Sequence, residues 1–176
     1  NFCAKRRYNN FFSALFHDLP ESVTRDIISP VKQATAELPS VVKKIEDEIV
    51  RKELKPLMED FYADELMYFT SDEFENRIIL PGKDKNSSIE VLHVSYEDLN
   101  EKFNDEKYSP VDGKLVRLAD QIAAFMEAHQ SIYYGITSNH LKHGKNNIKK
   151  MYSSIDKING FDICAFFNEF SDSADN

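Results

Sequence analysis

His17 and Asp18 are neighbours in the stretch "ALFHDLPESVTRDIISPVK", which runs from Ala14 to Lys32 and also carries Glu21 and Asp26. An imidazole nitrogen and a carboxylate oxygen side by side can reach one divalent ion if the helix ends between them. Such a mixed donor set suits Mn, Fe, Co, Ni or Zn. Two protein ligands hold an ion weakly, so a third carboxylate is needed from elsewhere in the chain. Asp120 is the best candidate, because it falls inside the largely apolar stretch "KLVRLADQIAAFMEA", where an unpaired carboxylate is expensive to bury. Plainer readings compete. A His-Asp pair also suits a polar turn, Asp120 can pair with Arg117 or cap a neighbouring backbone, and Glu21 can serve as the first-turn acid of a following helix.

The other histidines offer less. His140 and His143 share a helical spacing but have no evident acid partner, and His93 stands alone, so surface or packed roles are expected. His129 lies nine residues beyond Asp120. At about 1.5 Å per residue, a straight helix carries it too far along for the same ion.

The elements that must position these groups follow from periodicity. Tyr8, Phe11, Phe12, Leu15 and Phe16 recur at helical spacing and predict the buried face of a first helix that ends near His17. Pro20 disfavours helix at Leu19, so the break falls at the His-Asp pair. Pro30 and Pro39 bracket an irregular connector. A second helix is expected over 40–69, capped by Ser40, broken near Pro56, with Val41, Ile45 and Ile49 as its apolar stripe. From Ser71 to Asp112 the composition changes, and two β-prone runs around Pro81-Gly82 fit a short hairpin or an irregular flap. "YEDLNEKFNDEKY" then reads as a short polar helix. Leu115, Leu118, Ala119, Ile122, Phe125 and Met126 predict a long core helix around Asp120. A basic, partly helical segment and an amphipathic "GFDICAFFNEF" close the chain. The expectation is a single all-α domain with one irregular insertion at 71–112.

The 176 residues suffice for one substantial core. No apolar run approaches the length needed to cross a bilayer, so no membrane partner is expected. The net charge of -8 argues against binding a nucleic acid polymer. A small phosphate ester stays compatible, because a bound cation reverses the local field. Cys3 and Cys164 have no metal or disulfide spacing and read as ordinary buried thiols in a reducing cytoplasm.

Taken together, "HDLPESVTRDIISPVK" and "KLVRLADQIAAFMEA" resemble the HD-domain metal-dependent phosphohydrolase superfamily. The first is similar in order and spacing to the His-Asp-x-x-Glu, Thr-x-Asp and Pro-Val-Lys segment of the YfbR-like 5′-deoxynucleotidase branch. The matched core covers Ala14 to about Met58 and Lys114 to about His129. The resemblance implies a helical HD bundle with His17, Asp18 and Asp120 as ligands of a divalent ion (Mn, Co, Fe, Ni, Zn or Mg). It implies a role for Glu21 in handling the attacking water or leaving group, and for Asp26 in positioning water or sugar. Lys32 matches the end of the segment, either as a phosphate contact or as a solvent-facing lysine.

The implied reaction is removal of the 5′-phosphate of deoxynucleoside monophosphates by a metal-activated water. Another nucleotide or phosphate ester, or a non-catalytic helical regulatory domain with a degenerate HD site, are the alternatives. The resemblance also suggests a homodimer. Two departures stand out. The family carries a further metal-binding histidine on an upstream helix, as well as upstream substrate-reading residues, and no histidine precedes His17 here. The start at Asn1, with the aromatic pattern opening almost at once, reads as a domain lacking its N-terminal helices. The 71–112 segment is also longer than expected for a compact nucleotidase.

Overall fold

The computed structural model describes residues 1–24, 35–80, 82, 90–136 and 138–170, without the side chains of 23 and 24. It is a helical bundle, as the periodicity predicts, with two small antiparallel hairpins, of which only the one at 71–112 is expected from the sequence. The helices are α1 (Ala4–Phe16), α2 (Glu21–Thr24), α3 (Leu38–Ile49), α4 (Asp60–Thr70), α5 (Tyr96–Glu101), α6 (Gly113–Tyr133), α7 (Asn139–Met151) and α8 (Ile163–Asn168). Among the described residues, no helix is long and apolar enough to cross a membrane.

The long helix α6 organises the core. Leu118 and Phe125 on α6 meet Tyr152, Ile163 and Phe167 in one buried cluster, with Leu115, Ile122 and Met126 packed at its edge. Phe125 is fully buried and meets Phe167 edge-on, with ring centroids 4.9 Å apart. Ala119, expected inside, is exposed. His129 stacks on Phe125 and meets Phe170 edge-on, which accounts for it as a packed residue.

Helix α1 departs from expectation. Its fully buried residues are Arg6, Asn9 and Ser13, a polar stripe, whereas Phe11 and Leu15 are mostly exposed. The reason is the partner α1 meets. Arg6 Nε and Nη2 donate to the two oxygens of Asp112 at 2.7 and 2.6 Å, and both side chains are shut off from solvent. Arg6 Nη1 adds a bond to Asn100 Oδ1, while Asn10 and Asn159 donate to the same Asp112 carboxylate. A charge pair this deep is tolerable only when its remaining donors and acceptors are filled. Periodicity finds the hydrophobic face of a helix, and here the buried face is the polar one. Phe12 and Phe16 keep part of the predicted role, Phe12 stacking on Phe16 and on Phe69 of α4.

The second helix begins two residues early, at Leu38, with Pro39 inside the first turn, where its missing N–H costs nothing. Ser40 does not cap it; its hydroxyl donates to the Glu37 carbonyl instead. Val42 and Val50 are buried, while Val41 and Ile45 face outward, so the expected stripe is displaced by one position. The break precedes Pro56: a π-helical turn at Val50–Leu54 runs into a 3₁₀ turn at Lys55–Leu57.

In the 71–112 segment, β1 (Arg77–Leu80) pairs antiparallel with β2 (Glu90–His93). The base of the segment is core: Ile78, Leu99 and Val111 are fully buried, and Arg77 exchanges backbone bonds with Val111. The tip around 83–89 lies outside the described residues. Cys3 is partly buried and Cys164 is exposed, against the expectation of two buried thiols.

The second hairpin, β3 (Lys157–Ile158) with β4 (Phe161–Asp162), has no counterpart in the sequence reading. Its two central residues, Asn159 and Gly160, both have positive φ. An Asn-Gly pair between two apolar residues is the signal that marks such a turn. Asn159 Nδ2 also reaches Asn76 Oδ1 at 2.8 Å, which ties the turn to the buried polar network.

Candidate metal centre

The site forms where α1 stops. His17 is the C-cap of α1, and its N–H donates to the Ser13 carbonyl at 3.0 Å. The chain then turns over 17–20, with Leu19 N–H on Phe16 O and Glu21 N–H on Asp18 O, both at 2.9 Å. Pro20 is buried in this turn, so the break at the His-Asp pair is where the sequence places it.

His17 Nδ1 lies 2.9 Å from the Ala14 carbonyl. A carbonyl can only accept, so this contact puts a proton on Nδ1 and leaves Nε2 as the free corner of the ring. Nε2 points at two carboxylates, 3.2 Å from Asp18 Oδ2 and 3.9 Å from Asp120 Oδ1. One donor atom from each of the three residues lies within 4.8 Å of the others. Asp120 is therefore brought to His17 across about a hundred residues of sequence, and its partner is the imidazole and not Arg117.

Two further side chains frame the site. The Phe74 ring sits 5.8 Å from the His17 ring, and the Arg117 guanidinium lies 5.9 Å from the Phe74 ring centroid.

The electrostatics match a site built for positive charge. The His17 imidazole is raised from 6.5 to about 9, chiefly by the Asp120 carboxylate facing it. Burial works against the rise; the Asp18 charge and the Ala14 carbonyl add to it. The Asp120 carboxyl is held below its ordinary value by the same contact.

The donor chemistry fits a divalent ion. One imidazole nitrogen and two carboxylates converge, and the other ring nitrogen of His17 is tied to a carbonyl, the arrangement that orients metal-bound histidines. Three protein ligands would leave positions open for water or substrate, as catalytic sites require. The Asp18 side chain is 64% exposed and the Asp120 side chain 37%, so solvent reaches the site.

The remaining predicted residues divide. Glu21 opens α2 and is not among the three converging donors, which agrees with a first-turn acid as much as with a neighbour of the site. Asp26 and Lys32 lie outside the described residues. His140 and His143 are exposed on α7, and the exposed His93 pairs with Asp72 at 3.3 Å. Phe74 and Arg117 were missed as part of this site. Arg117 carried a signal, since it stands one helical turn before Asp120 on the same face; Phe74 carried none that spacing could reveal.

No curated protein and no solved structure matches the chain. A family model described as the HD domain matches residues 1–173, and the chain belongs to that family.

Proposed function

We propose that the protein is a phosphomonoesterase that removes the 5′-phosphate of deoxynucleoside monophosphates at the His17–Asp18–Asp120 centre. Membership in the HD-domain family points to metal-dependent phosphohydrolase chemistry in general. The observation that carries the reading further is the convergence of one ring nitrogen and two carboxylates at the end of α1. The nucleotidase branch rests on the "HDLPESVTRDIISPVK" resemblance.

A divalent ion bound there supplies Lewis acidity toward phosphate oxygens and makes water a better nucleophile near neutral pH. His17 would hold it through Nε2, in the tautomer set by the Ala14 carbonyl, and Asp18 and Asp120 would complete the set. Glu21, three residues past Asp18, orients the attacking water and takes its proton. In the same reading Asp26 helps position water or sugar, and Lys32 is either a phosphate contact or a solvent-facing lysine. Water oxygen bonds to phosphorus in line as the bond from phosphorus to O5′ breaks. The departing O5′ takes up the proton that Glu21 received, giving a deoxynucleoside and inorganic phosphate. A homodimer is part of the same reading.

The test is phosphate release from a panel of nucleoside mono- and triphosphates, with Mn, Co, Fe, Ni, Zn and Mg supplied separately. Within that panel, turnover of deoxynucleoside monophosphates and not of triphosphates, abolished by a chelator, is expected. Release from triphosphates instead moves the protein to another hydrolase class. No release with any ion sinks the catalytic reading.

A further inference from the structure

A cavity of about 660 Å³ opens on the flank of α6, between that helix, the end of α7 and the β3–β4 hairpin. Its charge is opposite to that of the chain. Lys114, Arg117 and Lys157 line it against one acid, Glu97, in a protein of net charge -8. Lys114 is paired with Glu75 at 2.7 Å. Arg117 and Lys157 have no carboxylate within ion-pair distance among the described residues. The Tyr96 and Tyr152 rings also border the cavity. Its size is that of an ordinary small-molecule site.

Arg117 joins the cavity wall to the metal centre, since its charge also acts on Asp120. Arg117 stands one turn before Asp120 on α6, so the two side chains leave the same face. Phe74 neighbours both the His17 ring, at 5.8 Å, and the Arg117 guanidinium, at 5.9 Å. Tyr152 lies within electrostatic reach of both Arg117 and Asp120. The far wall is held in place by Asn159, whose amide is bonded to Asn76 and to the buried Asp112. This fixes the backbone of Lys157, two residues earlier, across the cavity from α6.

We infer that this cavity takes a second anionic group of the substrate, so that the preferred ester carries a phosphate or carboxylate remote from the one being cleaved. The inference rests on the reading of the metal centre as the place where a phosphate ester is hydrolysed. Two cations without ion-pair partners beside an apolar and aromatic wall attract an anion joined to a flat or apolar body. A simple monophosphate leaves both cations unused. A nucleoside 3′,5′-bisphosphate can place one phosphate at the metal centre and the other between Arg117 and Lys157.

Isothermal titration of the full chain, loaded with a divalent ion that supports no turnover, with deoxyadenosine 3′,5′-bisphosphate and with deoxyadenosine 5′-monophosphate tests this apart from catalysis. The bisphosphate is expected to bind about tenfold more tightly, the effect of one charge-assisted contact. Lys157→Gln should abolish that preference and leave monophosphate binding within about twofold, while Lys157→Arg should keep it. With a supporting divalent ion, the same ratio should appear in kcat/KM. Equal affinity of the wild type for the two ligands overturns the inference, as does a preference that survives Lys157→Gln. If no ester is hydrolysed with any ion, the metal-centre reading fails, and the titration still decides whether the cavity binds anions.

Discussion

Replacing Asp120 with Asn probes the centre at its most informative point. The change keeps size and shape but removes the charge that faces His17 Nε2. In the metal-free protein the imidazole is raised from 6.5 to about 9, with Asp120 as the largest cause. That rise corresponds to about 3.4 kcal/mol at about 1.36 kcal/mol per tenfold. Asp18 and Asp120 are 64% and 37% exposed, so water screens their charges, and the share lost with Asp120 is about 1–2 kcal/mol. The His17 midpoint should therefore fall by about one pH unit, read from its imidazole NMR signals during titration.

The consequence for stability has a definite sign. A group whose folded value is raised stabilises the fold fully below its unfolded value and loses that contribution as pH climbs through the folded one. For His17 the window runs from 6.5 to about 9. Asp120, held below its ordinary 3.8, contributes above that value and loses it on acidification. The stability gap between wild type and Asp120→Asn should be widest at about pH 4–6.5 and close toward pH 9. An unchanged His17 midpoint in the variant would refute the assignment of Asp120 as its main partner.

Asp18→Ala should lose both ion binding and turnover, whereas Glu21→Gln should keep its ion and lose about 10²–10⁴-fold in turnover. Metal content and single-turnover phosphate release distinguish them, and near-normal turnover in Glu21→Gln leaves that residue as a turn acid only. Arg6→Met strands the Asp112 carboxylate at a fully buried position and should destabilise the protein by about 3–5 kcal/mol in denaturant unfolding. The double change Arg6→Met with Asp112→Leu should recover much of that loss, and a double mutant no better than the single would contradict the pairing. Gly113→Ala puts a methyl group into the Glu75 backbone at the start of α6, with an expected loss of about 1–3 kcal/mol in thermal or denaturant unfolding.

The helical class and the end of α1 were legible because they rest on local signals. Aromatic spacing announces a helix, and Pro20 ends it beside His17. Asp120 was legible for a different reason, as a carboxylate that an apolar helix must place somewhere useful. What spacing could not show was the polar underside of α1. Arg6, Asn9 and Ser13 repeat as regularly as any apolar stripe, but their burial depends on Asp112, more than a hundred residues away from Arg6. The displaced stripe of α3 has a related cause: Val41 and Val42 are interchangeable to a periodicity argument, and tertiary packing chooses between them. The Asn-Gly turn at 159–160 carries its signal in its residues, but strands of two residues are too short to show an alternating pattern.

The buried pair and the metal centre act on the same two helices. Arg6 and His17 lie at opposite ends of α1, and their partners Asp112 and Asp120 lie in the same order along α6. The two helices therefore run in the same sense, joined at two points. Along α1 the points are eleven residues apart, about 16 Å of rise; along α6 they are eight apart, about 12 Å. The long Arg6 side chain and the tilt of the helices absorb the difference. A slip of α1 by one residue would move His17 by about 1.5 Å along the axis and turn it by about a quarter of the helix circumference. That is enough to separate Nε2 from Asp120. The Arg6–Asp112 bond resists such a slip because it is bidentate and dry, so any displacement breaks two short hydrogen bonds where no water can replace them. The polar stripe of α1 thus explains how a centre assembled from distant residues keeps its register, and why a purely apolar stripe, free to slide, would hold it less well.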